Sequence, residues 1–201
     1  MSRAAFASLS LACLASLSFG PASAQPQLRP LAAPHEKVFL LRGFTNVLSP
    51  GIDQLAEELK EKNIETEVAN HAFAIPLASE AIDDCKSGRV GTIVLVGHSF
   101  GATGALMMAD RMQKAGLRVA LIVTLDPVIK GTVPANVHRL ENFYLSNGIG
   151  TTMQPGENFH GAINNVDLKS NPDLGHVSVT TLPSMQKQVI HDILTSNTRC
   201  D

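Results

Sequence analysis

The chain has 201 residues, 44% hydrophobic and 17% charged, with a mean hydropathy of +0.10 and a net charge of −2. That balance excludes a disordered or fibrous chain. A nearly neutral charge without long runs of one sign gives no electrostatic reason to expect nucleic acid or an anionic membrane surface as partner.

Residues 1–24 stand apart: Arg3 is their one charge, AAFASLSLACLASLSFG is small and apolar, and Ala22-Ser23-Ala24 supplies the small residues a signal peptidase needs. A cleaved signal peptide over 1–24 is expected, with the protein secreted or periplasmic. The apolar stretch is too short and too interrupted by serines and Pro21 for a stable membrane span. Residues 25–36 carry three prolines and read as an extended leader. The folded domain is expected over 37–201, long enough to bury roughly 70% of its unfolded surface in one core.

KVFLLRGF (37–44) is a continuous apolar run ending at glycine, the pattern of a strand buried on both faces. SPGIDQLAEELKEKN (49–63) has Ile52, Leu55, Ala56 and Leu59 at helical spacing, with Ser49 as the expected N-cap before Pro50. ETEVANH (65–71) is a short strand candidate and LASEAIDDCKSG (77–88) a second helix closed by Gly88. RVGTIVLVGHSFG (89–101) is the strongest strand, followed at once by the helix ATGALMMADRMQKAGL (102–117). RVALIVTLDPV (118–128) is another buried strand stopped at Asp126-Pro127, and HRLENFYLSN (138–147) a weaker one. Residues 147–175 are rich in Gly, Asn and Pro with AINNVDL as the one strand candidate, and SMQKQVIHDILTS (184–196) is an amphipathic helix. This alternation predicts an α/β fold, a mainly parallel twisted sheet flanked by helices on both faces. Ligands of such sheets sit beyond the carboxyl ends of the strands.

The chemistry-bearing residues gather at those ends. Ser99 follows a strand and precedes a helix within G-H-S-F-G, the context of a nucleophile elbow, where Gly97 and Gly101 let the turn close. A serine hydroxyl needs a base, and a base needs an orienting carboxylate. His98, inside the turn, is expected to point elsewhere. His176, between the last strand candidate and the last helix, is favoured over His160 in the glycine-rich stretch. Asp126 ends a buried strand, where an unpartnered acid is costly; Asp167 and Asp173 are its rivals. The backbone N–H of Phe100 and that of Phe44 are candidates for an oxyanion hole. Cys85 and Cys200 are either a disulfide or two unrelated thiols. The absence of H-E-x-x-H and of paired cysteine spacing argues against a metal site, and no motif calls for a cofactor.

In order, LLRGF, VGHSFGA, TLDPV and LGHVSV resemble the α/β-hydrolase superfamily, which uses the chain order Ser, Asp, His. An acid on the strand directly after the nucleophile is similar to the thioesterase and small-lipase branches. The resemblance implies Ser99 as nucleophile, His176 as general base and acid, Asp126 as its orienting partner, and Phe44 with Phe100 as oxyanion donors. It also implies a minimal domain with no separate lid, residues 147–175 being the one candidate cover. The expected function is a serine hydrolase cleaving a small-molecule carboxylic ester or thioester through an acyl-enzyme. The alternatives are a non-catalytic ligand-binding protein on the same fold and an acyltransferase using the same residues. One tyrosine and no tryptophan leave no aromatic platform for sugars.

Overall fold

The computed structural model describes residues 35–44 and 49–201; the signal peptide expected over 1–24 and residues 25–34 of the expected leader lie outside the described residues. The elements, in chain order, are β1 (His35–Arg42), α1 (Pro50–Lys60), β2 (Glu65–Asn70), α2 (Ala74–Lys86), β3 (Val90–His98), α3 (Phe100–Lys114) and β4 (Val119–Leu125). Then follow β5 (Gly131–Val133), β6 (Val137–Tyr144), β7 (Met153–Pro155), β8 (Ala162–Asp167), α4 (Ser178–Thr181) and α5 (Pro183–Leu194).

Six strands form one sheet in the order β2-β1-β3-β4-β6-β8, every pairing parallel. The continuous apolar runs are explained by burial on both faces. In β1, Phe39 and Leu41 pack with α2 and α3, whereas Val38 and Leu40 pack with α1 and α5. The same alternation sends Ile93 and Leu95 of β3 to the first layer and Val94 and Val96 to the second. The chain leaves β1 toward β2 on one side while β3 lies on the other, so the order reverses between β1 and β3, and a crevice opens there at the carboxyl ends.

Several expectations are corrected. β1 begins at His35, two residues inside the segment read as leader, because His35 and Glu36 pair with β3. The helix at α2 begins at Ala74, ahead of Pro76, since proline is tolerated in a first helical turn. Ser49 stands at the N-cap position of α1 as expected, its carbonyl accepting the Ile52 N–H at 3.1 Å, but its side chain makes no capping bond. The irregular 147–175 stretch contains β7, which pairs in parallel with β5 in a small second sheet that no periodicity announced. No helix among the described residues is long and apolar enough to cross a membrane.

The amino end of the sheet is tied by charge and by sulfur. Lys37 is buried, and its ammonium meets Glu65 at 3.0 Å, Glu80 at 2.5 Å and Asp84 at 3.1 Å, so the charge is neutralised where it leaves water. Cys85 of α2 is bonded to Cys200 near the carboxyl terminus. The tail is also hydrogen-bonded into the sheet, Cys200 N–H to the Gly91 carbonyl at 2.9 Å and Arg118 N–H to the Cys200 carbonyl at 2.9 Å. The bridge spans 115 residues, so reduction, or Cys85→Ser with Cys200→Ser, should lower unfolding stability by about 2–4 kcal/mol. A urea midpoint that does not move on reduction would show that the tail is held by its backbone bonds alone.

Candidate active site

The turn between β3 and α3 has no room for a side chain at Gly97 or Gly101. A Cβ on Gly97 would lie 2.3 Å from the Gly101 carbonyl oxygen, and one on Gly101 would lie 2.1 Å from that of Leu41. The two glycines let the helix start directly against the strands, and the tight reversal puts Ser99 at φ 57°, ψ −121°. This conformation is unfavourable for a serine and presents its hydroxyl above the sheet edge. Phe100 is the first residue of α3, so its N–H is among those without an intrahelical acceptor.

Asp126 directly follows β4, 1% exposed and at φ 44°. Its Oδ1 accepts the Leu145 N–H at 2.9 Å, and its Oδ2 accepts from Nδ1 of His176 at 2.7 Å. Because that nitrogen carries the hydrogen, Nε2 of His176 is left with a lone pair. It lies 3.1 Å from the Ser99 Oγ, within reach to accept the hydroxyl proton. Gly150 backs the acid: a Cβ there would lie 2.0 Å from Asp126 Oδ1. The segment carrying Gly150 is anchored through Asn142, whose amide donates to the Thr151 carbonyl at 3.0 Å and to Asn165 Oδ1 at 2.7 Å.

The rivals lie elsewhere. His160 shares a small cavity with Arg118 and Val137, at the amino ends of β4 and β6 and so at the opposite edge of the sheet. Asp167 accepts from Ser146 at 2.6 Å through its hydroxyl and at 3.2 Å through its N–H, which holds its carboxyl down at about 2. Asp173 sits in a turn, its N–H donating to Asn171 Oδ1 at 3.1 Å.

Two residues that sequence reasoning passed over form a second line of hydrogen bonds beneath the first. His98 is fully buried, its ring centroid 4.8 Å from that of His176. Its Nε2 lies 2.7 Å from the His176 carbonyl oxygen, which can only accept, so this nitrogen bears the hydrogen. Nδ1 then accepts the Ser49 hydroxyl at 2.7 Å, and the Ser49 Oγ in turn accepts the Gly43 N–H at 3.2 Å. The expected helix cap is thus a link from the β1 exit, through the elbow, to the loop carrying His176. Ser-Pro reads as a helix start in any sequence, and nothing local distinguishes this use of it.

The same exit loop is fixed from its other side. The amide of Asn70, at the end of β2, donates to the Gly43 carbonyl at 2.9 Å. In a planar trans peptide the N–H of Phe44 points opposite to that carbonyl. It is therefore turned away from β2, toward the β3 side where Ser99 stands.

A cleft of about 550 Å³ opens over Ser99, His98 and His176, with Phe44, Phe100, Val128, Ile129 and Ile149 as its apolar wall. No family model matches the chain, and no curated protein does. Among solved structures it is similar to one from Xanthomonas campestris pv. campestris described as an alpha/beta superfamily hydrolase, at 12% identity and TM-score 0.45, over 79% of this chain and 97% of that one. It is also similar to RedJ, a thioesterase of the prodiginine biosynthetic pathway of Streptomyces coelicolor, at 12% identity and TM-score 0.42, over 83% and 91% of the two chains.

Burial holds the His98 imidazole well below its ordinary range, from 6.5 down to about 4. Between those values the unfolded chain binds a proton that the fold refuses, so His98 favours the fold fully above about pH 6.5 and less as pH falls toward about 4, by up to about 3 kcal/mol. Glu36, raised by burial to about 7, pulls the other way, favouring the fold at low pH. The contribution of His98 is therefore read as a difference. Urea unfolding of the wild type and of His98→Gln should converge in stability as pH falls from 7 to 4. A constant gap between them would refute a neutral buried His98.

Proposed function

We propose that the chain is a serine hydrolase that cleaves a carboxylic ester or thioester through an acyl-enzyme. The observation that carries this reading is the unbroken line Asp126 Oδ2 to His176 Nδ1 at 2.7 Å and His176 Nε2 to Ser99 Oγ at 3.1 Å. A buried carboxylate lies at one end of it and an apolar cleft at the other.

In this reading the Ser99 Oγ attacks the carbonyl carbon while its proton passes to Nε2 of His176. The oxyanion is held by the N–H groups of Phe100 and Phe44, helped by the partial positive charge at the start of α3. Collapse of the tetrahedral adduct breaks the bond to the alcohol or thiol, which takes the proton from His176. Water then repeats the sequence on the acyl-serine and releases the acid. Asp126 keeps its charge throughout and holds the imidazole in the tautomer that can accept.

The purified protein should hydrolyse p-nitrophenyl butyrate and react with a fluorophosphonate probe. Ser99→Ala should abolish labelling and lower kcat by roughly ten-thousandfold or more, with Asp126→Asn falling by a similar factor because the imidazole turns to the wrong tautomer. Absence of labelling in the folded wild type would instead favour the ligand-binding alternative. Acyl transfer is told apart by adding an alcohol acceptor and following ester formation.

Export is proposed alongside, supported by the Ala22-Ser23-Ala24 site and by a disulfide suited to an oxidising compartment. Amino-terminal sequencing of the mature protein should begin at Gln25. A mature protein that retains residues 1–24 would overturn it.

A further inference from the structure

The apolar surface does not stop at the nucleophile. On α3, Phe100, Thr103 and Met107 follow at spacings of three and four, one stripe of the helix. Phe100 lines the cleft over Ser99, whereas Thr103 and Met107 line a second cavity of about 580 Å³. The facing segment behaves in the same way: Val128 lines the cleft, Ile129 lines both cavities, and Thr132 lines the second. Two walls therefore pass from one cavity to the other without a break, and Ile129 stands at the junction. From Phe100 to Met107 the helical wall advances roughly 10 Å.

Exposed apolar surface is concentrated along this track. Among the described residues eight large hydrophobic side chains are exposed, and five of them line the two cavities: Phe44 and Ile149 at the cleft, Ile75 and Met107 at the second cavity, Ile129 between. Such contiguity marks a ligand groove or an interface rather than scattered surface residues. Charged side chains line the second cavity as well, Arg111, Lys114 and Lys130 against Asp110 and Glu157, with Lys114 held by Asp110 at 2.6 Å. Charge of both signs gives no strong field for an ionic ligand, and the exposed Ile75, Met107 and Ile129 supply an apolar strip for a neutral one.

We propose that the second cavity is an acyl-chain subsite, so that the preferred substrates are esters or thioesters of long unbranched acids whose tails run past Ile129 along α3. This deepens the serine-hydrolase reading and rests on it. Each methylene moved from water onto the groove wall raises kcat/KM by up to roughly fourfold.

The test compares p-nitrophenyl laurate with p-nitrophenyl butyrate, both below their aggregation concentrations. Wild type should favour laurate in kcat/KM by about tenfold or more, and Met107→Trp and Thr103→Trp, which fill the groove, should each cut that ratio by about tenfold. Leu194→Trp, at an exposed apolar position on α5, should keep the ratio, and thermal melting checks that every variant is folded. A ratio unchanged in both groove variants would overturn the proposal. So would a preference that appears only when the long chain is placed on the alcohol, as in dodecyl acetate. If neither ester is cleaved, the hydrolase reading fails first, and the cavity is then judged by binding of a dansylated undecanoic acid to Ser99→Ala. Binding weakened by Met107→Trp in that background supports an alkyl-chain groove, and equal binding refutes it.

Discussion

The contact of backbone with backbone at Gly97, Gly101 and Leu41 is the constraint from which the rest of the site follows. With Cβ atoms forbidden at both glycines, α3 begins without a spacer above β3 and against the exit of β1. One consequence is the positive φ of Ser99, a local cost of order 1–3 kcal/mol that the surrounding packing must offset. Another is that the end of β1 is drawn beside Ser99: a Cβ on Gly43 would lie 3.1 Å from that of Ser99. The strand-order reversal and the helix start are thereby brought to one point, which is why the crevice, the Ser99 hydroxyl that lines it and the free helical N–H coincide.

Asp126 is the second strained position, and it depends on the irregular part of the chain. A carboxylate 1% exposed needs partners, and the Leu145 N–H is one that only the turn after β6 can supply. Behind it Gly150 closes the space, and the 147–155 segment is held on one side by side-chain amides and on the other by the pairing of β7 with β5. Asn165 both accepts from the Met153 N–H at 2.8 Å and donates to its carbonyl at 3.1 Å, imitating a strand partner. The stretch considered as a possible cover thus serves, in part, as the rear wall of the acid.

The fold was legible because its signals are collective. Long apolar runs, helical spacing and their alternation all require the same layered sheet, and an error at one boundary, such as the start of β1 or α2, changes nothing in the architecture. The meeting of Ser99, Asp126 and His176 was legible because the first two directly follow strands and the third lies in the loop after β8, and topology alone brings those ends to one edge. His160 was set aside for a weaker reason than the one that excludes it: it lies at the opposite edge, a fact that depends on where β6 and β8 begin rather than on its own neighbours. Ser49 and His98 were illegible. Their partners lie 49 and 78 residues away, across two loops, and no periodicity encodes such a pairing.

The character of His98 matters to the proposed reaction beyond its geometry. In that reaction His176 becomes an imidazolium, and a second ring lies 4.8 Å from it. A positive charge at that distance would oppose proton uptake by about 3 kcal/mol at an effective dielectric constant near 20. A lysine or arginine could donate to the same His176 carbonyl but would bring that charge with it. A buried imidazole donates through Nε2 and stays neutral, because desolvation keeps its proton affinity low and Ser49 occupies its other nitrogen. The requirement to hold the loop and the requirement to leave the neighbouring base chargeable are thus met by one residue type. Glutamine could imitate the donor, but not a ring tilted 40° against that of His176 that also accepts the Ser49 hydroxyl through Nδ1.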